Sequence, residues 1–138
     1  MSELEEVQQR NIATLKHALG NALEGNAAIL QPVISDDFVI YEAEGLPFGG
    51  VFRGLEGYIA CMQGINSFWV NKNLAPPELV PVGKDRVIML SEFEGYISHN
   101  GEHVKMPTVS IWDFEDGKIR TVRPFFFDTK LVADKARL

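Results

Sequence analysis

Apolar residues recur at three- and four-residue steps through Leu4, Val7, Ile12, Leu15, Leu19, Ala22 and Leu23, which predicts an opening amphipathic helix with one buried face. Ser2 and Glu5 stand ahead of it in the spacing of a capping box, a hydroxyl and a carboxylate placed for the first free amide donors. Gly25 supplies a stop, Asn26 a cap for a short second helix over 27–30, and Pro32 limits that helix. The period then changes. Phe38-Val39-Ile40-Tyr41 is β-branched and aromatic and reads as a strand, ended by the Gly- and Pro-rich run 45–50. Leu55, Tyr58, Ile59 and Met62 share one face of a predicted helix over 54–65. Beyond it the pattern is that of strands: one opening at 68–70, then 87–98, 103–114 and 119–127. Asn100-Gly101 and Asp116-Gly117 are the turns between the last three, and Asn-Gly suits the positive φ angles of a type I′ hairpin. Asp128 or Thr129 then caps a short helix carrying Leu131 and Val132.

Helices come early and strands run together late, so the fold class is α+β, with an antiparallel meander and no βαβ sheet. The 138 residues show no linker, repeat or low-complexity tract, and a single domain over 1–138 is expected. The three helices predicted ahead of the strand run are too few to cover both faces of such a sheet. A homodimer through the open sheet face is the expected partner arrangement.

Charge and composition narrow the function. Residues 1–69 carry three basic and nine acidic side chains, residues 70–138 ten of each, for a net charge of −6. An acidic half beside a neutral half repels phosphate backbones, so nucleic acid is not an expected partner. No apolar run reaches the roughly 18 residues of a membrane span, and 1–10 is polar and acidic with no signal-like apolar core. No membrane association and a cytoplasmic location are expected. Cys61 is the single cysteine, read as a buried, inert thiol; no Cys/His spacing suits a metal, and no phosphate-binding glycine loop is present. No cofactor is expected.

Four pieces of sequence carry a resemblance. They are the opening helix; Ser35-Asp36-Asp37-Phe38-Val39-Ile40-Tyr41-Glu42; the turn into a helix at Pro47-Phe48-Gly49-Gly50-Val51-Phe52-Arg53-Gly54; and the run from Gly117 through Arg123-Pro124-Phe125-Phe126-Phe127-Asp128-Thr129. Together they resemble the nuclear transport factor 2-like superfamily, and within it the SnoaL-like polyketide cyclases and ketosteroid isomerases. The likeness spans nearly the whole chain through loose motifs. It implies a cone of N-terminal helices packed on a strongly curved, mainly antiparallel sheet that encloses one apolar pocket. Members include isomerases, cyclases, dehydratases, epoxide hydrolases and transport factors, so fold alone leaves the chemistry open.

A pocket of that kind needs apolar walls and few polar groups. Tyr58, Met62, Phe68, Trp69, Met89, Phe93, Trp112, Phe125, Phe126 and Phe127 can supply the walls, or simply fill the core. Glu42 stands where the ketosteroid isomerases place an aspartate base, although Glu44 is equally eligible by sequence. Burial would raise its pKa toward neutrality, the condition for moving protons there. Asp128 resembles the aspartate acid/base that ends the last strand in SnoaL-like cyclases; its competing reading is the helix cap. Strand alternation groups Val122, Pro124, Phe126 and Asp128 on one face, Arg123, Phe125 and Phe127 on the other.

The departures are specific. The first helix has His17 and apolar residues where the isomerases carry a tyrosine. His103 is the nearest analogue of a cyclase histidine but sits beside a hairpin, His99 falls in the turn, and Arg53 is as well placed to pair with Glu56 as to enter a pocket with Arg123. The expected function is binding of an apolar small molecule, with cofactor-free isomerase, cyclase or dehydratase chemistry at Glu42 or Asp128. The alternative is a non-catalytic ligand-binding or protein-interaction module of the same fold.

Overall fold

The computed structural model describes residues 1–22 and 27–137. The roles expected of the Ala22 side chain, Leu23, Gly25 and Asn26 fall outside what is described. Helix α1 (Glu3–Ala22) starts on the predicted box: the Glu5 amide donates to Ser2 Oγ at 3.1 Å. The Glu5 carboxylate accepts from the Ser2 hydroxyl, also at 3.1 Å. The buried stripe of α1 is Asn11, Leu15 and Ala18, each at most 1% exposed, flanked by Val7, Ile12 and Leu19. Leu4, placed on that face by its spacing, is 48% exposed. Asn11 owes its place to a hydrogen bond: Nδ2 donates to the Lys84 carbonyl at 2.8 Å, tying the helix to a strand turn.

Helix α2 (Ala27–Leu30) runs into a 3-10 turn (Gln31–Val33), whose Pro32 occupies the first turn, where a missing N–H does no harm. Strand β1 (Ile34–Glu42) starts four residues before its expected bound; β2 is Gly50–Arg53, α3 Gly54–Phe68 and β3 Trp69–Leu74. After β4 (Glu78–Val82) come the long strands β5 (Arg86–Ile97), β6 (His103–Glu115) and β7 (Lys118–Phe126), then α4 (Thr129–Lys135). Strands β2 and β4 were not expected from the sequence.

The seven strands form one strongly curled sheet of order β2-β1-β7-β6-β5-β3, with β4 sharing the edge of β5 that β3 leaves open. All neighbours are antiparallel except β1 and β7, which run parallel. The Asp116-Gly117 hairpin is the tight one: both φ angles are positive (51° and 78°) and Glu115 faces Lys118 directly, the type I′ geometry. The Asn100-Gly101 connection departs from the expectation. It is a wider loop, in which the Ile97 amide donates to the Glu102 carbonyl at 2.8 Å, and only Gly101 takes a positive φ.

Strand β3 carries a bulge. Val70 pairs with Tyr96 but Asn73 with Glu94, so three steps on β3 meet two on β5, and Asn71 absorbs the extra residue at φ 51°. The concave face holds two cores, one beneath α1 and α3 and one of Phe48, Phe68, Trp69 and Phe93 near α4. On the convex face Leu90, Val109 and Phe125 stand side by side across β5, β6 and β7, with Leu90 39% and Phe125 47% exposed. No helix among the described residues is long and apolar enough to cross a membrane.

Candidate functional site

Strand alternation sends Phe38, Ile40 and Glu42 of β1 to the concave side, where they meet Tyr58, Cys61 and Met62 of α3. With β5, β6, β7 and the N-terminal helices these enclose a cavity of about 200 Å³, below the roughly 300–1,000 Å³ common for drug-sized ligands. Tyr58, Met62, Trp69, Met89, Phe93, Trp112 and Phe126 all line it. Phe125 touches the wall but is half exposed, Phe127 is out in solvent, and Phe68 packs behind the wall against Phe48 and Trp69, ring centroids 5.1 and 4.8 Å away.

Among the described residues Glu42 is the one acidic side chain on that wall, and it is only 8% exposed. Its Oε2 is buried with no hydrogen-bond partner. Burial without a compensating cation penalises the charged form, and the carboxyl is pushed up from 4.5 to about 7. Cys61 is pushed up to about 12 by burial first and by the Glu42 charge second, which leaves a protonated, unreactive thiol. Tyr58 likewise rises to about 12 through burial, then through Cys61, so its phenol stays neutral. Glu44, the sequence alternative to Glu42, lies exposed in the following turn.

Asp128 does not line the cavity, contrary to the face it was expected to share with Phe126. Its backbone (φ −133°, ψ 85°) leaves the strand, and its Oδ1 accepts the Leu131 amide at 3.0 Å, capping α4. The capping reading accounts for this residue, and the carboxylate is exposed. His17 is exposed on α1; His99 Nε2 lies 2.8 Å from the Ala136 carbonyl; His103 Nε2 lies 2.7 Å from Glu94 Oε2 on the surface. The Arg123 guanidinium stacks over the Tyr41 ring at 4.6 Å on the convex side, and Arg53 is exposed at the start of α3. An Asp-Arg-Asp water site therefore has no arginine to build on among the cavity residues.

Several wall residues escaped the sequence reading. On β6 the inward positions alternate Thr108, Ser110, Trp112, and the indole Nε1 donates to Ser110 Oγ at 2.8 Å. A hydroxyl that accepts from an indole keeps its own proton to give. The period-two spacing from Trp112 was the available signal for Ser110. Lys72 and Asn73 also line the cavity, through the β3 bulge. Among the described residues no group of three or more His, Cys, Asp or Glu side chains is placed to hold a metal.

Solved structures agree on the architecture. A nuclear transport factor 2-like protein from Burkholderia xenovorans LB400 superposes with TM-score 0.83 at 20% identity, over 94% of this chain and 98% of its own. TerC, co-crystallised with polyporic acid, gives 0.76 at 20% identity over 91% and 98%. A Jannaschia sp. CCS1 protein named as a SnoaL-like polyketide cyclase gives 0.80 at 15% identity over 100% and 97%. Such identities speak for the nuclear transport factor 2-like fold and leave the reaction open. Among curated proteins none matches the chain. Residues 17–122 match the family described as the SnoaL-like domain, which spans the strand that bears Glu42, helix α3 and the meander, and the chain belongs to that family.

Proposed function

We propose that the cavity binds a small, largely apolar molecule and that Glu42 moves a proton on it, as in a cofactor-independent isomerase, cyclase or dehydratase. The observation that carries this reading is the buried, unpartnered Glu42 Oε2 in an otherwise apolar box. A structural carboxylate would have both oxygens paired or solvated; here Oε2 has neither support, and a pKa near 7 lets the group both take and return a proton at neutral pH. The Ser110 hydroxyl, already accepting from Trp112, supplies a donor for a substrate oxygen on the β6 part of the wall. Polyporic acid in TerC and the cyclase name of the Jannaschia neighbour point the same way by analogy.

The substrate-independent test is proton abstraction from 5-nitrobenzisoxazole. A base takes the ring C–H proton, its electron pair completes a nitrile, the N–O bond breaks, and a coloured phenolate leaves. The wild-type rate should rise with pH through about 7 as Glu42 ionises, and Glu42→Gln should lose on the order of 100-fold or more. Equal rates in the two proteins would remove the catalytic reading and leave a binding module.

The convex face carries the surface for the dimer. Leu90, Val109 and Phe125 form an apolar row whose open side no described helix covers, and a second copy of this chain presents the same row for self-complementary packing. Leu90→Glu, at a position whose own side chain does not line the cavity, should convert a dimer to a monomer in sedimentation equilibrium. A wild-type chain that sediments as a monomer removes the idea.

A further inference from the structure

Of the described residues that line the cavity, two have side chains that can carry charge near neutral pH, Glu42 within it and Lys72 on β3. Lys72 would not be there on a regular strand. Trp69 faces inward, so strict alternation would send position 72 to the convex side. The extra residue at Asn71 resets the count, and Lys72 falls in phase with Leu74, which pairs with the inward Phe93. Bulges are a recurrent device for re-aiming one side chain beside a functional site. The half-buried Lys72 and the exposed Asn73, both on the wall, mark where the cavity meets solvent. The Lys72 ammonium donates to Asn66 Oδ1, a neutral oxygen that fixes its direction and leaves its charge unbalanced. No carboxylate lies within ion-pairing distance of it among the described residues, although acidic side chains outnumber basic ones 19 to 13 in the chain.

We infer that Lys72 is an anion-binding post at the cavity mouth, and that the ligand is an apolar molecule ending in a carboxylate or similar anionic group. The apolar body occupies the aromatic box and the anion stays at the rim, where the ammonium has two N–H donors to offer and water completes the solvation. A chain of net charge −6 repels anions in general, so a single cation on the cavity's rim gives discrimination that the overall field does not. This rests on the cavity being a ligand site, as proposed above, and adds the ligand's charge.

The experiment uses a matched pair, 2-naphthoate and 2-naphthamide, which share ring and size and differ in charge, titrated into the full chain at pH 6. The wild type should bind the carboxylate about tenfold more tightly, a difference equal to about 1.4 kcal/mol, with the preference shrinking as salt is added. Lys72→Met should bring the carboxylate down to the amide and leave the amide unchanged, and Lys72→Arg should keep the preference. Equal binding of both probes to the wild type, or a preference that survives Lys72→Met, overturns the inference while the apolar-ligand reading stands. Equal weakening of both probes in Lys72→Met makes the lysine structural and overturns it too. If neither probe binds, both this inference and the cavity's role fall. Failure of Glu42 chemistry alone would show as equal 5-nitrobenzisoxazole rates with the naphthoate preference intact.

Discussion

Raising the pH from 4.5 to above 7 should remove about 3 kcal/mol of folding stability, and Glu42→Gln should flatten most of that slope. The folded carboxyl titrates at about 7 against 4.5 when unburied, because β1 delivers it into an apolar box with no cation or donor on Oε2. Between those values the folded chain holds a proton that the unfolded chain has released. Stability is therefore greatest at the acid end of that window, falls as pH rises through it, and levels off above about 7. The rise from 4.5 to about 7 corresponds to about 3 kcal/mol, or about 10 °C in melting temperature for a domain of this size. The depressed carboxyls Asp37 and Asp134 start from 3.8 and titrate below the window. Cys61, raised from 9 to about 12, acts above it. Thermal melts of both proteins from pH 5 to 8.5 make the comparison, and a wild-type melting temperature that is level or climbs with pH would contradict the burial of Glu42.

Gly49→Ala should be the most damaging single methyl group in the chain, with a loss of about 3 kcal/mol or more. The turn after Glu42 folds back tightly: the Leu46 amide donates to the Ala43 carbonyl at 3.0 Å and the Gly49 amide to the Leu46 carbonyl at 2.9 Å. A Cβ at position 49 would stand 2.0 Å from the Ala43 oxygen and 2.9 Å from its carbon. Those are backbone atoms, which no rotamer change can move aside. Relief requires shifting the turn, and with it the pairing of Gly50 with Glu42 that closes the cavity's edge. Gly20→Ala is the control, since nothing lies within 4 Å of a Cβ in that exposed turn of α1, and it should stabilise by about 0.5–1 kcal/mol. Matching melting curves for Gly49→Ala and wild type would refute the close approach.

The sequence was most legible where one period ruled a long segment. The meander β5–β7 and both long helices followed from period-two and period-3.6 spacing. Glu42 was readable as the next inward step after Phe38 and Ile40, although only burial separates it from Glu44. Strand β2 was hidden by its four residues, the first a glycine at φ 138° in what reads as turn sequence. Strand β4 was hidden by Pro81, which a sheet tolerates only on an edge such as the one β4 occupies. Asp128 misled because a strand was extrapolated two residues past its end, where capping took over. Lys72 could not have been found, since one inserted residue reverses the inside and outside of everything after it, and a bulge leaves no compositional mark.

The parallel pairing of β1 with β7 has a consequence for biosynthesis. Strand β1 touches the rest of the sheet only through β7, because its other neighbour, β2, pairs with nothing else. The N-terminal hairpin that bears Glu42 thus has no sheet to join until a segment some eighty positions later has been made. On the ribosome the earlier hairpin and the meander emerge as separate pieces, and the cavity is assembled in a long-range docking step once β7 has been made.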